Sequence, residues 1–133
     1  MAERVYCLYR GKDQESILMQ KNACHDCAEK KGWNIVDEEQ EIGVSGYKAC
    51  ADDRVKLQRI RKAVEQGEFD ILLVFMYDQL GRNLNETPFI AEWFTKKGIH
   101  VWSVYEGEII DAVDAERMLD YIRFWQTDKT QKL

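Results

Sequence analysis

Short apolar runs alternate with helical patterns along the chain. Val5 to Tyr9 is the first run and predicts a strand. Ile17, Gln20, Cys24, Cys27 and Lys31 recur at helical spacing, so a helix is expected over residues 16–31. Gly32 then sits where a helix-ending glycine belongs. Trp33 to Val36 predicts a second strand, leading into the acidic stretch Asp37 to Glu41. Gly43-Val44-Ser45-Gly46 reads as a loop, and Asp53 fits the N-cap of a helix carrying Leu57, Ile60 and Val64 and ended by Gly67. The strongest run, Phe69 to Tyr77, is apolar without a break from Ile71 to Met76. That is the mark of a central strand covered on both faces. Thr87-Pro88 opens a third helix, with Phe89, Ile90, Trp93 and Phe94 as its apolar face and Gly98 closing it. Ile99 to Tyr105 predicts a fourth strand. Ala115 to about Trp125 predicts a last helix with Met118, Tyr121, Ile122 and Trp125 on one side.

The predicted order is βαβαβαβα. Strands separated by helices imply an α/β fold: a mostly parallel sheet of four or more strands with helices on both faces. One domain is expected over residues 1–126, followed by a polar tail over 127–133. The length of 133 residues suits a single domain that needs no disulfide or metal staple. Apolar residues at 45% exclude a disordered chain, and no apolar run is long enough to span a membrane. Met1-Ala2-Glu3-Arg4 lacks the layout of a signal peptide. The four cysteines are therefore expected as reduced thiols in the cytoplasm. With 24 acids against 19 Lys and Arg, the net charge of −5 argues against a domain that holds nucleic acid by itself.

In open α/β sheets, ligands bind beyond the carboxyl ends of the strands. The residues that follow the strands are Arg10-Gly11-Lys12-Asp13, then the acidic segment with Gly43-Val44-Ser45-Gly46, then Asp78-Gln79-Leu80-Gly81-Arg82-Asn83, and last Glu106-Gly107-Glu108. Arg10, Lys12, Arg54 and Arg82 can converge near Asp78. Several guanidinium groups around one carboxylate either make an anion site suited to phosphate or form a plain Arg–Asp salt-bridge network. Both readings stay open on spacing alone.

Other chemistries fit less well. A flavodoxin-like phosphate-binding or signalling domain would place an acidic pair after its first strand to hold Mg²⁺, where this chain has Arg10 and Lys12. A metal-dependent nuclease would need Asp78 and Glu106 to share a cation among arginines. Cys24-His25-Asp26-Cys27 is a lone C-x-x-C, which reads as two small apolar residues one turn apart rather than as half a zinc site or a redox pair. His25 and His100 show no ligand spacing, and no nucleotide-binding glycine motif is present. No cofactor and no metal are expected.

Four ordered motifs carry a resemblance. They are Leu8-Tyr9-Arg10 followed by a glutamine, with Gly32-Trp33 and Ile35-Val36; Gly43-Val44-Ser45-Gly46 with Arg54, Leu57 and Gln58; Phe69 to Val74 running into Asp78-Gln79-Leu80-Gly81-Arg82-Asn83; and Gly98-Ile99 with Val101-Trp102-Ser103 and Glu106-Gly107. Together they resemble the N-terminal catalytic domain of the serine recombinases, the resolvase/invertase family, and most of all the large serine recombinases of mobile elements. The resemblance spans roughly residues 4 to 126 and implies a resolvase-like sheet. It also implies the family's chemistry: a serine attacks a DNA phosphate to form a phosphoserine link, arginines bind that phosphate, no metal is used, and subunits assemble into dimers and tetramers.

Carried over residue by residue, Arg10 falls on the family's strand-one arginine and Gln20 on the glutamine of its first helix. Arg54 falls on the arginine before the second helix, and Asp78 and Arg82 on the ends of its D-R-L-G-R motif. Two departures stand beside these matches. The family reads arginine, any residue, serine after strand one, whereas Arg10 is followed by Gly11 and Lys12. Matching Gln20 implies a connection about three residues shorter, and the nearest hydroxyl, Ser16, falls at the start of the helix. Gln79 also replaces the first arginine of D-R-L-G-R. A hydroxyl nucleophile splits phosphoryl transfer into two steps, and a neutral amide supplies no charge to a developing oxyanion. The resemblance therefore implies a site-specific DNA recombinase domain that has lost strand cleavage, a pseudoenzyme. It would meet DNA through additional domains or an active partner, as a homo-oligomer or a hetero-oligomer with a recombinase. The other reading is a non-enzymatic interaction domain, for which the aromatic last helix offers a surface, unless that helix simply packs on the sheet.

Overall fold

The structure is a computed structural model, and it describes residues 3–42, 55–80 and 87–109. Among these residues five strands and three helices follow in the order β1 (Arg4–Gly11), α1 (Gln14–Lys31), β2 (Asn34–Ile42), α2 (Val55–Glu65), β3 (Ile71–Val74), a 3-10 turn (Tyr77–Gln79), α3 (Thr87–Lys96), β4 (His100–Ser103) and β5 (Gly107–Ile109). The sheet order is β2-β1-β3-β4-β5. The first three pairings are parallel and the last is antiparallel. The α/β class with a mostly parallel sheet is as expected. Five strands also fit the expected four or more, with β5 formed by residues that read as the connection after the fourth strand.

Two cores lie on opposite faces, as the period of a strand requires. Val5, Cys7 and Tyr9 of β1 join Ile71 and Leu73 of β3 beneath α1, where Ile17 and Cys24 meet them. Tyr6 and Leu8, with Leu72 and Val74, face α2 and α3 through Leu57, Ile60, Ile90 and Phe94. β3 is buried at every position, which explains its unbroken apolar sequence. It is shorter than its apolar run, because the chain turns into the 3-10 segment at Tyr77.

Three further expectations are corrected. The helix begins at Gln14 rather than 16, with Asp13 as its N-cap accepting from Ser16 N at 2.9 Å. Its buried stripe ends in Ala28 rather than Cys27 and Lys31. The acidic stretch Asp37 to Glu41 belongs to β2 rather than following it. Alternation neutralises it. Glu38 faces the α1 side, where it accepts from Tyr9 Oη at 2.5 Å and lies 2.8 Å from His25 Nε2. Glu39 faces the α2 side, near Tyr6 Oη at 3.3 Å, Lys56 Nζ at 3.3 Å and Arg59 at 3.8 Å. The Gly43–Gly46 loop, Cys50, Asp53, the last helix and the tail lie outside the described residues. Among the described residues no helix is long and apolar enough to cross a membrane.

Candidate functional site

The carboxyl ends of β1 and β3 lie side by side, and at both ends side chains take over where the backbone ladder stops. Pairing of β1 with β3 ends at Leu8 and Val74, two residues short of Arg10. Gln20, buried on α1, supplies what the missing strand would. Its Oε1 accepts from Arg10 N at 3.0 Å and its Nε2 donates to Arg10 O at 2.8 Å. Gln79 adds a longer contact from Nε2 to Arg10 O at 3.5 Å, while its Oε1 accepts from Met76 N at 3.4 Å. Arg10 and Gln79 are half-buried.

The connection from β1 to α1 is tight. Only Lys12 and Asp13 separate the strand from the helix, and both are exposed. Helix α1 therefore closes directly on the strand end. A Cβ placed on Gly11 would meet Ser16 Oγ at 2.6 Å and Ser16 Cβ at 3.0 Å, so only glycine fits there without a shift. Ser16, the nearest hydroxyl in sequence, thus lies against Gly11.

Beyond β3, the Tyr77–Gln79 turn carries Asp78 at the strand's carboxyl end. Its first amide, Tyr77 N, donates to Glu106 Oε2 at 3.0 Å, and Ser103 Oγ donates to the same oxygen. Ser103 Oγ accepts in turn from Glu106 N at 2.8 Å. Glu106 Oε2 is therefore committed to two protein donors.

The structure thus brings Gln20 and Gln79 onto the main chain of Arg10 and places Asp78 on the neighbouring strand end. Lys12 sits in the exposed connection. Arg54 and Arg82 lie outside the described residues. Glu41 is a residue whose place the sequence did not mark, and Glu106, weighed there only as a metal ligand, serves instead as a hydrogen-bond acceptor. Glu41 stands level with Arg10 in the β1–β2 register and is buried. A buried carboxylate at a strand end beside an arginine was hidden by its place in an acidic run. The C-x-x-C pair is split: Cys24 is fully buried and Cys27 half-buried. A hydrogen bond with Cys7 and burial push the Cys24 thiol up, so it stays protonated.

Comparison with known proteins places this geometry. Residues 10–125 match the family described as the resolvase N-terminal domain. The N-terminal catalytic domain of TP901-1 integrase superposes with a TM-score of 0.74 at 27% identity, covering 95% of this chain and 98% of that one. The C-terminal catalytic domain of ISC1926 TnpA, an IS607-like serine recombinase, gives a TM-score of 0.67 at 26% identity, covering 77% and 70%. A resolvase-family site-specific recombinase from Streptococcus pneumoniae shares the fold, with a TM-score of 0.72 at 18% identity over 98% and 92% of the two chains. No curated protein sequence matches.

Proposed function

The chain belongs to the family of the resolvase N-terminal domain, the catalytic domain of serine recombinases, and from that premise we propose that it retains the family's strand-end framework but does not cleave DNA. The observation that carries this reading is the connection after Arg10. Gly11, Lys12 and Asp13 hold no hydroxyl, and α1 begins at once with Asp13 capping it. A lysine amine forms no phosphoester, so the family's covalent link has no donor at that place. Gln79 supports the same reading. Its amide spans Arg10 O and Met76 N, a neutral brace in the position of an arginine that would carry positive charge.

On this reading Arg10, Arg54 and Arg82 contact a DNA phosphate without breaking it. Gln20 keeps the end of β1 in shape. The net charge of −5 fits a domain that meets DNA locally and draws its affinity from other domains or from an active recombinase of the same mobile element.

The test uses the chain fused to a recombinase DNA-binding part and offered suicide DNA substrates. No covalent protein–DNA adduct is expected, alone or in the presence of the family's usual partners. An adduct mapped to a serine of this chain, Ser16 included, overturns the proposal.

A further inference from the structure

We infer that Glu106, acting with Ser103, is the positioning residue of the turn that carries Asp78 and Gln79. β4 and β5 form a tight hairpin in which Ser103 pairs with Gly107, and Gly107 adopts φ +96, a conformation that side chains other than glycine's rarely accept. The first residues inside the hairpin continue parallel to the exit of β3. Val104 N donates to Val74 O at 2.9 Å and Tyr105 N to Phe75 O at 3.2 Å. Met76 N donates to Gln79 Oε1, and Tyr77 N, with no backbone acceptor among the described residues, donates to the Glu106 carboxylate at 3.0 Å.

A carboxylate accepting from the first amide of a turn is a strong, charge-assisted contact. The Ser103 hydroxyl, itself buried, locks the acid by donating to the same oxygen while accepting from Glu106 N. The carboxylate thereby fixes where the turn starts, one residue before Asp78. Gln79 anchors its other end on Met76 N. That the turn faces a DNA phosphate rests on the proposed function above; that Glu106 sets its conformation does not.

The experiment is amide hydrogen exchange and chemical-shift mapping on the full chain, with E106A, E106Q and S103A. Loss of one such hydrogen bond corresponds to about tenfold faster exchange at the freed amide. E106A is expected to show this at Tyr77, with shift changes confined to residues 76–80. E106Q keeps an acceptor oxygen and is expected to restore most of the protection, and S103A is expected to fall between the two. Uniform loss of protection across the sheet in E106A, or E106Q matching E106A, overturns the inference. So does a shift at Glu106 on adding Mg²⁺. Because the readout needs no DNA, a failure here is distinct from the appearance of a covalent adduct in the cleavage test.

Discussion

Replacing Gln20 tests whether one side chain stands in for a missing strand. Gln20 is 2% exposed and makes two hydrogen bonds to the main chain of Arg10, at 3.0 and 2.8 Å. Gln20→Met keeps the volume and removes both. Losing a bond so that its partner goes unsatisfied costs about 1–3 kcal/mol, and Arg10 O keeps the 3.5 Å contact from Gln79 Nε2. Arg10 is only half-buried, so water recovers part of that penalty, and a total of about 2–4 kcal/mol is expected. With a urea slope of about 2 kcal/mol/M, the unfolding midpoint should fall by roughly 1–2 M. Tryptophan fluorescence during urea unfolding reads this directly.

Gln20→Glu adds a sign. Its carboxylate still accepts from Arg10 N but opposes Arg10 O, so burial beside a carbonyl raises its folded pKa above the unfolded value of about 4.3. The variant should then gain stability as pH falls from that raised value toward about 4.3 and level off below it. A Gln20→Met midpoint within about 0.25 M of the parent, with m-values near 2 kcal/mol/M, would refute the reasoning, since the amide would then contribute nothing.

Two further outcomes follow from the same contacts. Gly11→Ala should destabilise the chain by about 1–3 kcal/mol through overpacking against Ser16. Ser16→Ala in that background should recover part of the loss, because it removes the 2.6 Å contact and leaves the one at 3.0 Å; thermal unfolding of the two single variants and the double variant reads the coupling. Burial pushes the Glu38 carboxyl up, but hydrogen bonds from Tyr9 and His25 outweigh it and hold the group below its ordinary value. Its contribution is therefore full above the unfolded pKa of about 4.3 and lost as pH falls through the lower folded value. The stability gap between the parent and Glu38→Gln, followed by urea unfolding from pH 7 to 3, should shrink across that window; a gap that widens toward acid would contradict the assignment.

Some of this was legible in the residues alone. The unbroken run from Ile71 to Val74 marked a central strand because apolar side chains on both faces need cover on both faces. The helices were marked by apolar spacing and by glycines past their ends, and Gly32, Gly67 and Gly98 all take positive φ. Arg10 and Gln20 were singled out by family motif, and the structure joins them. The acidic stretch of β2 was misread, because local propensity disfavours acids in strands while the tertiary partners decide. Glu38 and Glu39 are accommodated only because α1 and α2 bring His25, Lys56 and Arg59 to opposite faces of that strand.

The order of elements from β1 to β4, the mostly parallel sheet and the absence of a hydroxyl just after Arg10 were thus determined by the sequence by itself, through periodicity and residue identity. Only the tertiary structure decided which side chains complete the strand ends. Gln20 lies ten residues from Arg10, and Glu106 lies 29 residues from Tyr77. Their roles depend on where the β1–β3 ladder stops and where the β4–β5 hairpin turns back. The backbone groups left open there must find partners once water is partly excluded, and no local pattern reveals which residue the fold will bring to them.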